Sequence, residues 1–168
     1  MKYYGICPAS CGEFVQGVMD RAEYLCSYAV DLYSTAEVEE KLNNINLGPL
    51  KSRKAIEAVF KKFNIPVEES KNISLKIRSK IPVGKGMASS TADIGATIGA
   101  TLGLIKKELS SEEIAKLAST IEPTDSIYIE KNSIFNPLYG EVIRYLGYVK
   151  ILRVVILEPI SSLNTMRI

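Results

Sequence analysis

The passage of the chain from a strand through a glycine turn into a long helix constrains its fold more than any other feature. Ile73–Ser79 alternates apolar and polar side chains with a period of two, which predicts a half-buried β-strand. Ile81–Ala92 (IPVGKGMASSTA) then carries two glycines and a pair of serines. Helical spacing of apolar residues begins at Ser89 or Ser90 and continues to about Lys107. A mixed fold of helices packed on a sheet is therefore expected.

The residues before this passage predict strands and one further helix. Residues 2–40 alternate in short blocks with Gly or polar breaks, which indicates two to four antiparallel strands. Ser52–Phe63 carries apolar residues at helical spacing with lysines opposite, and Pro66 follows just beyond. We therefore expect an amphipathic helix that ends before this proline.

The residues after the long helix predict one more helix and then strands. Ser110 and Glu113 form a capping-box pattern, which predicts a helix that ends before Pro123. A β-branched run at Val149–Pro159 predicts a late strand. Shorter strand-like pieces surround Tyr128, Phe135 and Val142. This order of elements is an α+β pattern and differs from the regular alternation of a doubly wound sheet.

Three glycines mark one side of the long helix. Gly95, Gly99 and Gly103 repeat every four residues, and each costs a helix about 1 kcal/mol relative to alanine. We therefore expect another element to pack very close to the helix backbone there. The apolar run is too short to span a membrane and contains Asp93, so a buried helix is predicted.

Composition and charge exclude several functional classes. Of the 168 residues, 46% are hydrophobic, which favours a packed core. Lys and Arg number 21 against 19 Asp and Glu, too small a basic excess for a typical nucleic-acid-binding surface. Histidine is absent, so histidine triads, histidine zinc sites and histidine general bases are excluded.

The cysteines and the first residues favour a cytoplasmic location with no membrane partner. Cys7, Cys11 and Cys26 are an odd number, and the N-terminal residues lack the apolar stretch of a signal peptide. Reduced thiols are the simplest interpretation, since no histidine is present to complete a zinc site.

The glycine turn has the chemistry of a phosphate site. Gly84 and Gly86 permit positive φ and close backbone approach, and the amides at a helix start favour a bound anion. Ser89 and Ser90 can donate to phosphate or coordinate Mg²⁺, and Lys85 can add a charge. Glycine turns with serine caps also occur with nothing bound. The spacing is neither a Walker A loop nor a dinucleotide-binding GxGxxG.

Three segments together carry a family resemblance. IPVGKGMASSTAD resembles the phosphate-binding motif of the GHMP kinases, which include galactokinase, homoserine kinase and mevalonate kinase. CPASCGEFVQG (Cys7–Gly17) and IEPTDS (Ile121–Ser126) narrow the resemblance to the L-threonine kinases that serve cobalamin synthesis. The resemblance implies an α+β N-terminal kinase domain with a left-handed βαβ core like that of ribosomal proteins.

The resemblance also implies ATP and Mg²⁺ as cofactors, with in-line phosphoryl transfer to a small alcohol. The expected ATP-phosphate contacts come from one loop: Pro82, Gly84, Lys85, Gly86, Met87, Ala88, Ser89, Ser90 and Thr91. Ser90 and Glu122 are the expected magnesium ligands, with Glu112 or Glu113 as alternatives because Glu122 stands unusually close to the catalytic position. Asp125 is the expected catalytic group near the acceptor hydroxyl. The composition of the segment around it would by itself indicate an ordinary turn residue that faces solvent.

The acceptor pocket is expected to draw on the N-terminal segment. The residues expected to contact the acceptor, L-threonine or another small alcohol such as homoserine, are Ser10, Cys11, Glu13 and Gln16, together with Asp125. For Glu13 and Gln16, the polar side of a strand is an equally good interpretation.

We expect the domain boundary near residue 145. Residues 1–145 would form the ATP-binding domain, and residues 146–168 would begin a C-terminal domain of which only the start is present. Loss of closure by that domain would weaken catalysis. Two other functions remain open: a nucleotide-binding module without transfer, and an RNA-binding domain, against which the near-neutral charge argues.

Overall fold

Two long antiparallel strands form the centre of the fold in the computed structural model, which describes residues 1–41, 48–150 and 152–155. Strand β1 (Lys2–Met19) pairs with β2 (Ala22–Glu40) along nearly its whole length. Asp20 and Arg21 connect them with φ angles of 51° and 66°, as a two-residue turn that follows strand twist requires. The expectation of two to four strands in residues 2–40 is thus confirmed.

The remaining strands extend this pair into a five-stranded sheet. On the edge of β2 opposite β1, β3 (Ile73–Ser79) pairs with one half of the strand and β4 (Asn132–Asn136) with the other. Strand β5 (Glu141–Gly147) pairs with β4. Both β3 and β4 are antiparallel to β2, so β3 and β4 run in the same direction. Helices connect these two strands along the chain.

In the part of the chain that the structure describes, three helices pack on the sheet: α1 (Leu50–Lys62), α2 (Ser89–Ile105) and α3 (Ser111–Ser119). The predicted capping box begins α3, because the Ser110 side chain accepts from the Glu113 amide and the Glu113 side chain accepts from the Ser110 amide. Short 3₁₀ turns occupy Val67–Asn72 and Ser126–Tyr128. Within the described residues, no helix is long and apolar enough to cross a membrane.

The close approach predicted from the glycine stripe lies between β1 and α2. A methyl group at Gly5 of β1 would overlap the Ala96 carbonyl oxygen, and one at Gly99 would lie 3.7 Å from the Cα of Gly5. At Gly95 an added methyl would clash with the Tyr128 ring. The helix and the strand therefore meet backbone to backbone, and this contact fixes where α2 begins relative to the N-terminal segment.

The structure differs from two of the strand predictions. The piece around Tyr128 is not a strand: Ser126–Tyr128 makes one 3₁₀ turn that carries the tyrosine ring toward Gly95. Of the late run Val149–Pro159, residues 149–150 and 152–155 form no strand, and the rest lies outside the described residues. Most of the proposed second domain, residues 146–168, lies outside them as well.

Candidate active site

The glycine turn joins β3 to the N-terminus of α2. Gly84 and Gly86 take φ angles of 69° and 72°, and Ala88 at the N-cap position has φ 54°. Ala88 has no side-chain oxygen to accept from the first amides of α2, so these donors can meet an anion. The loop contains the predicted phosphate contacts Pro82, Gly84, Lys85, Gly86, Met87, Ala88, Ser89 and Ser90.

The N-terminal segment is hydrogen-bonded to this loop. The Ser10 amide donates to the Met87 carbonyl at 3.3 Å, and both residues are buried. The Ser10 hydroxyl donates to the Gly12 carbonyl at 2.9 Å and accepts from the Gly12 amide at 3.1 Å. The Ser10 side chain therefore stabilises the local conformation of the β1 segment that contacts the loop.

Ser90 and Glu122 meet at the start of α2. The Ser90 hydroxyl donates to Oε1 of Glu122 at 2.6 Å, and the Lys51 ammonium pairs with Oε2 of the same carboxylate. The Glu122 side chain is only 16% exposed, so its two partners orient it firmly. The structure thus brings together the two predicted magnesium ligands.

The alternative glutamates lie elsewhere. Glu113 is committed to the capping box and to an ion pair with Lys62 at 3.2 Å. Glu112 accepts a hydrogen bond from Tyr145 of β5. Neither side chain is brought to the glycine turn, so Glu122 is the glutamate positioned beside Ser90.

Asp125 lies beside the first turn of α2. The hydroxyl of Thr91, which is also a predicted ATP-phosphate contact, donates to Oδ2 of Asp125 at 3.4 Å. Burial raises the pKa of Asp125 to about 6, and the charges of Glu13 and Glu122 add to this effect. Hydroxyls of Thr91 and Ser27 act in the opposite direction.

The segment that carries Asp125 is fixed on both sides. The Thr124 amide donates to the Pro137 carbonyl at 3.0 Å, and the Ser27 amide donates to the Ser126 hydroxyl at 3.0 Å. The buried Tyr128 hydroxyl donates to the Thr91 carbonyl at 2.7 Å. Asp125 therefore stands on an ordered turn between α2 and β2, in contrast to the solvent-facing turn that composition alone would favour.

The predicted acceptor contacts do not all converge. Glu13 lies opposite Ser27 in the β1–β2 pairing and close enough to Asp125 to raise its pKa. Burial raises the pKa of Glu13 itself. The Cys11 carbonyl accepts from Tyr28 at 2.9 Å. Gln16 is exposed and donates to Glu23 at 2.7 Å, so the structure does not bring it to this group.

Two residues near the site, Asp93 and Lys51, were not predicted from the sequence. Asp93 accepts from the buried Ser34 hydroxyl at 2.5 Å, and burial raises its pKa. Lys51, at the start of α1, neutralises Glu122. Asp93 could have been found because it falls one helical turn after Ser90, whereas Lys51 had no local pattern to mark it.

The residues present fit a magnesium ion that arrives with phosphate. Within the described parts of the chain, no three acidic, cysteine or histidine side chains cluster closely enough to hold a metal. Mg²⁺ is usually held by one or two protein ligands, with phosphate oxygens and waters completing the octahedron. The Ser90 hydroxyl and the Glu122 carboxylate are two oxygen groups that could hold such an ion.

The fold and the loop define the class of this protein. A family model described as the GHMP kinases N terminal domain matches residues 51–129, which contain α1 except its first residue, β3, the glycine turn, α2, α3 and Asp125. The chain contains a GHMP kinase N-terminal domain.

The chain is also similar to individual kinases. An L-threonine kinase of Salmonella typhimurium is 45% identical over 130 residues, covering 77% of this chain and 43% of that protein. An L-threonine kinase of Citrobacter freundii is 39% identical, covering 77% of this chain and 45% of that protein. The crystal structure of Methanococcus jannaschii mevalonate kinase superimposes with a TM-score of 0.53 at 26% identity, covering 83% of this chain and 50% of that structure. The chain thus spans less than half the length of these two curated relatives.

Proposed function

We propose that this chain binds Mg²⁺-ATP at the glycine turn and transfers the γ-phosphoryl group to the hydroxyl of a small metabolite. The observation that carries the proposal is the convergence of Ser90, Glu122 and Asp125 at the N-terminus of α2. Ser90 lies 32 residues before Glu122 and 35 before Asp125 in the chain, and each of the three groups would have a role in phosphoryl transfer.

The acceptor we propose is L-threonine, with O-phospho-L-threonine as the product, in cobalamin synthesis. Support comes from the two L-threonine kinases that are 45% and 39% identical over 130 residues. Homoserine is the competing acceptor, because it differs from threonine only in the placement of its hydroxyl group. A comparison of the two acceptors under identical conditions separates them.

The glycine turn would hold the phosphates by its backbone. Positive φ at Gly84 and Gly86 brings amides toward the phosphate oxygens without a side chain in the way. The amides of the first turn of α2 and the helix dipole favour the same negative charge. Lys85 lies in the same turn and is half-buried. When bound, Mg²⁺ neutralises phosphate charge beside the Ser90 hydroxyl and the Glu122 carboxylate.

Asp125 would act on the acceptor hydroxyl. Its carboxylate accepts the hydroxyl proton while the hydroxyl oxygen forms its bond to the γ-phosphorus and the bond from that phosphorus to ADP breaks. A pKa of about 6 leaves the carboxylate ionised near neutral pH and still basic enough to take a proton. The ordered turn from Thr124 to Ser126 keeps the carboxylate beside the loop, so positioning supplies part of the rate.

Calorimetric titration with ATP tests the binding half of the proposal. We expect the parent chain to bind ATP more tightly with Mg²⁺ than with EDTA, because Ser90 and Glu122 would hold the ion. Binding without this difference would contradict the assignment of Ser90 and Glu122. Binding with no phosphorylated product would instead favour a nucleotide-binding module without transfer.

A further inference from the structure

Ser27 is a buried serine in the middle of β2 whose hydroxyl is left without a partner. The residue is 5% exposed, and within the described residues its Oγ has no hydrogen-bond partner. Buried hydroxyls are nearly always hydrogen-bonded in folded proteins, because an unmatched donor loses its water without compensation. An unmatched hydroxyl at this position therefore needs an explanation.

The surroundings of Ser27 direct it toward Asp125. Ser27 lies directly opposite Glu13 in the β1–β2 pairing, and its amide donates to the hydroxyl of Ser126, the residue after Asp125. Its hydroxyl lies close enough to the Asp125 carboxyl to lower the pKa of that group. Ser27 is thus held at the Asp125 turn by its backbone, with its hydroxyl near the Asp125 carboxyl.

The Asp125 carboxylate needs such a donor. Its hydrogen bond from Thr91 is long, at 3.4 Å, and its environment is unfavourable to charge because it is buried and close to Glu13. Hydrogen bonds to a catalytic carboxylate are often long in the ligand-free protein and shorten when substrate binds. A second hydroxyl from β2 would complete the pair of donors around the ionised group.

We propose that Ser27 is a positioning residue for Asp125. Its hydroxyl donates to the ionised carboxylate and, together with the Thr91 hydroxyl from α2, fixes the orientation in which Asp125 accepts the acceptor proton. Asp125 is thereby held between α2 and β2, a helix and a strand that pack against each other. This inference rests on the proposed function for the catalytic meaning of Asp125, but the hydrogen bond itself can be measured without turnover.

Carbon-13 NMR of the aspartate side chains, followed against pH, tests the inference. The Asp125 carboxyl of the parent should titrate near pH 6. In Ser27→Ala the titration should move upward by about one pH unit, because a hydrogen bond to the charged form is lost. Ser27→Thr keeps the hydroxyl and should restore the parent value.

Two further variants separate this effect from damage to the fold. Ser27→Cys fills the site with a weak donor and should also raise the titration point. Ser133→Ala, which removes another buried and unpartnered hydroxyl in β4, should leave it unchanged. Proton–nitrogen correlation spectra confirm that each variant is folded. Ser27→Cys stands in for Ser27→Ala if the alanine variant does not fold.

The outcomes distinguish this inference from the proposed function. An Asp125 titration point that stays the same in folded Ser27→Ala or Ser27→Cys would overturn the role of Ser27. A chain whose Asp125 shifts as expected, but which transfers no phosphate to any hydroxy amino acid, would support the Ser27 hydrogen bond and overturn the kinase proposal. If turnover is present, the acid limb of its pH profile should move with the NMR titration in Ser27→Ala and return in Ser27→Thr.

Discussion

The Ser90 hydroxyl donates a 2.6 Å hydrogen bond to the carboxylate of Glu122, a residue 32 positions later in the chain. This contact joins the start of α2 to the turn that follows α3. The turn also carries Asp125, so the contact sets the separation between the glycine turn and the candidate catalytic carboxylate. Lys51 holds the other oxygen of Glu122 and completes the arrangement.

Replacement of Ser90 tests the metal part of the site. Ser90→Ala removes one oxygen ligand and the hydrogen bond that orients Glu122. We expect ATP affinity in the presence of Mg²⁺ to fall about tenfold, the equivalent of about 1.4 kcal/mol for one lost interaction, and to change little in EDTA. Calorimetric titration measures both. Ser111→Ala, at the start of α3, is the matched control and should bind like the parent. Equal losses with and without Mg²⁺ would show that Ser90 does not act through the metal.

Replacement of Gly86 tests the loop backbone. Gly86 has φ 72°, a conformation that a β-branched residue rarely adopts, so Gly86→Val should distort the turn. Nucleotide binding should become too weak to detect by calorimetry while the melting temperature changes little, because Gly86 is exposed. Gly17→Val is the control: nothing lies within 4 Å of a methyl group there. Parent-like ATP affinity in Gly86→Val would remove the phosphate role from this turn.

The raised pKa of Asp125 predicts two pH effects. Burial first, and then the charge of Glu13 on β1 and of Glu122, raises this pKa to about 6, against the hydroxyls of Thr91 on α2 and Ser27 on β2. Turnover that needs the ionised carboxylate should therefore be constant above pH 6 and fall about tenfold per pH unit below it. A profile that stays flat down to pH 5 would contradict the assignment of Asp125 as the base.

The same pKa affects stability with a definite sign. The folded value of about 6 lies above the unfolded value of about 3.9, so folding takes up a proton between these limits. The ionised group therefore destabilises the fold at neutral pH, and this cost disappears as pH falls toward 4. Asp125→Asn should melt at a higher temperature than the parent at pH 7, and the difference should close by pH 4.

Gly5 tests the contact between β1 and α2. A methyl group there would overlap the Ala96 carbonyl oxygen, and backbone cannot move aside as a flexible side chain can. Gly5→Ala should lower the free energy of unfolding by about 3 kcal/mol, at the upper end of the usual cost of overpacking. Urea unfolding measures it, with Gly17→Ala as the control. Parent-like stability in Gly5→Ala would mean that the backbones of β1 and α2 are not in direct contact at this point.

Local patterns predicted most of the elements and the glycine turn that leads into α2. The period-two strand over Ile73–Ser79, the helix that begins at Ser89 and the capping box of Ser110 all depend on neighbours within a few residues, which the sequence displays directly. The failure at Tyr128 has the same origin. Apolar residues flank it as in a strand, and only the space over Gly95, 33 positions earlier, shows why its ring turns inward.

The contacts that complete the candidate site are long-range and could not be predicted. Lys51 and Glu122 are 71 residues apart, and Ser27 and Ser126 are 99 residues apart. Nothing in the local sequence of Lys51 or Ser27 distinguishes it from an ordinary surface lysine or strand serine. The packing of α1 and β2 around the Asp125 turn brings these two side chains to the site.

Phosphorus NMR of this chain with ATP, Mg²⁺ and L-threonine, alongside homoserine, serine and acceptor-free samples, shows whether the site transfers phosphate. We predict resonances of O-phospho-L-threonine and ADP, fastest with threonine. In Asp125→Asn they should be reduced at least a hundredfold, while ATP affinity is kept and Asp20→Asn behaves like the parent. ATP that remains intact with every acceptor, at protein concentrations where the nucleotide is bound, would contradict the claim that this site transfers phosphate.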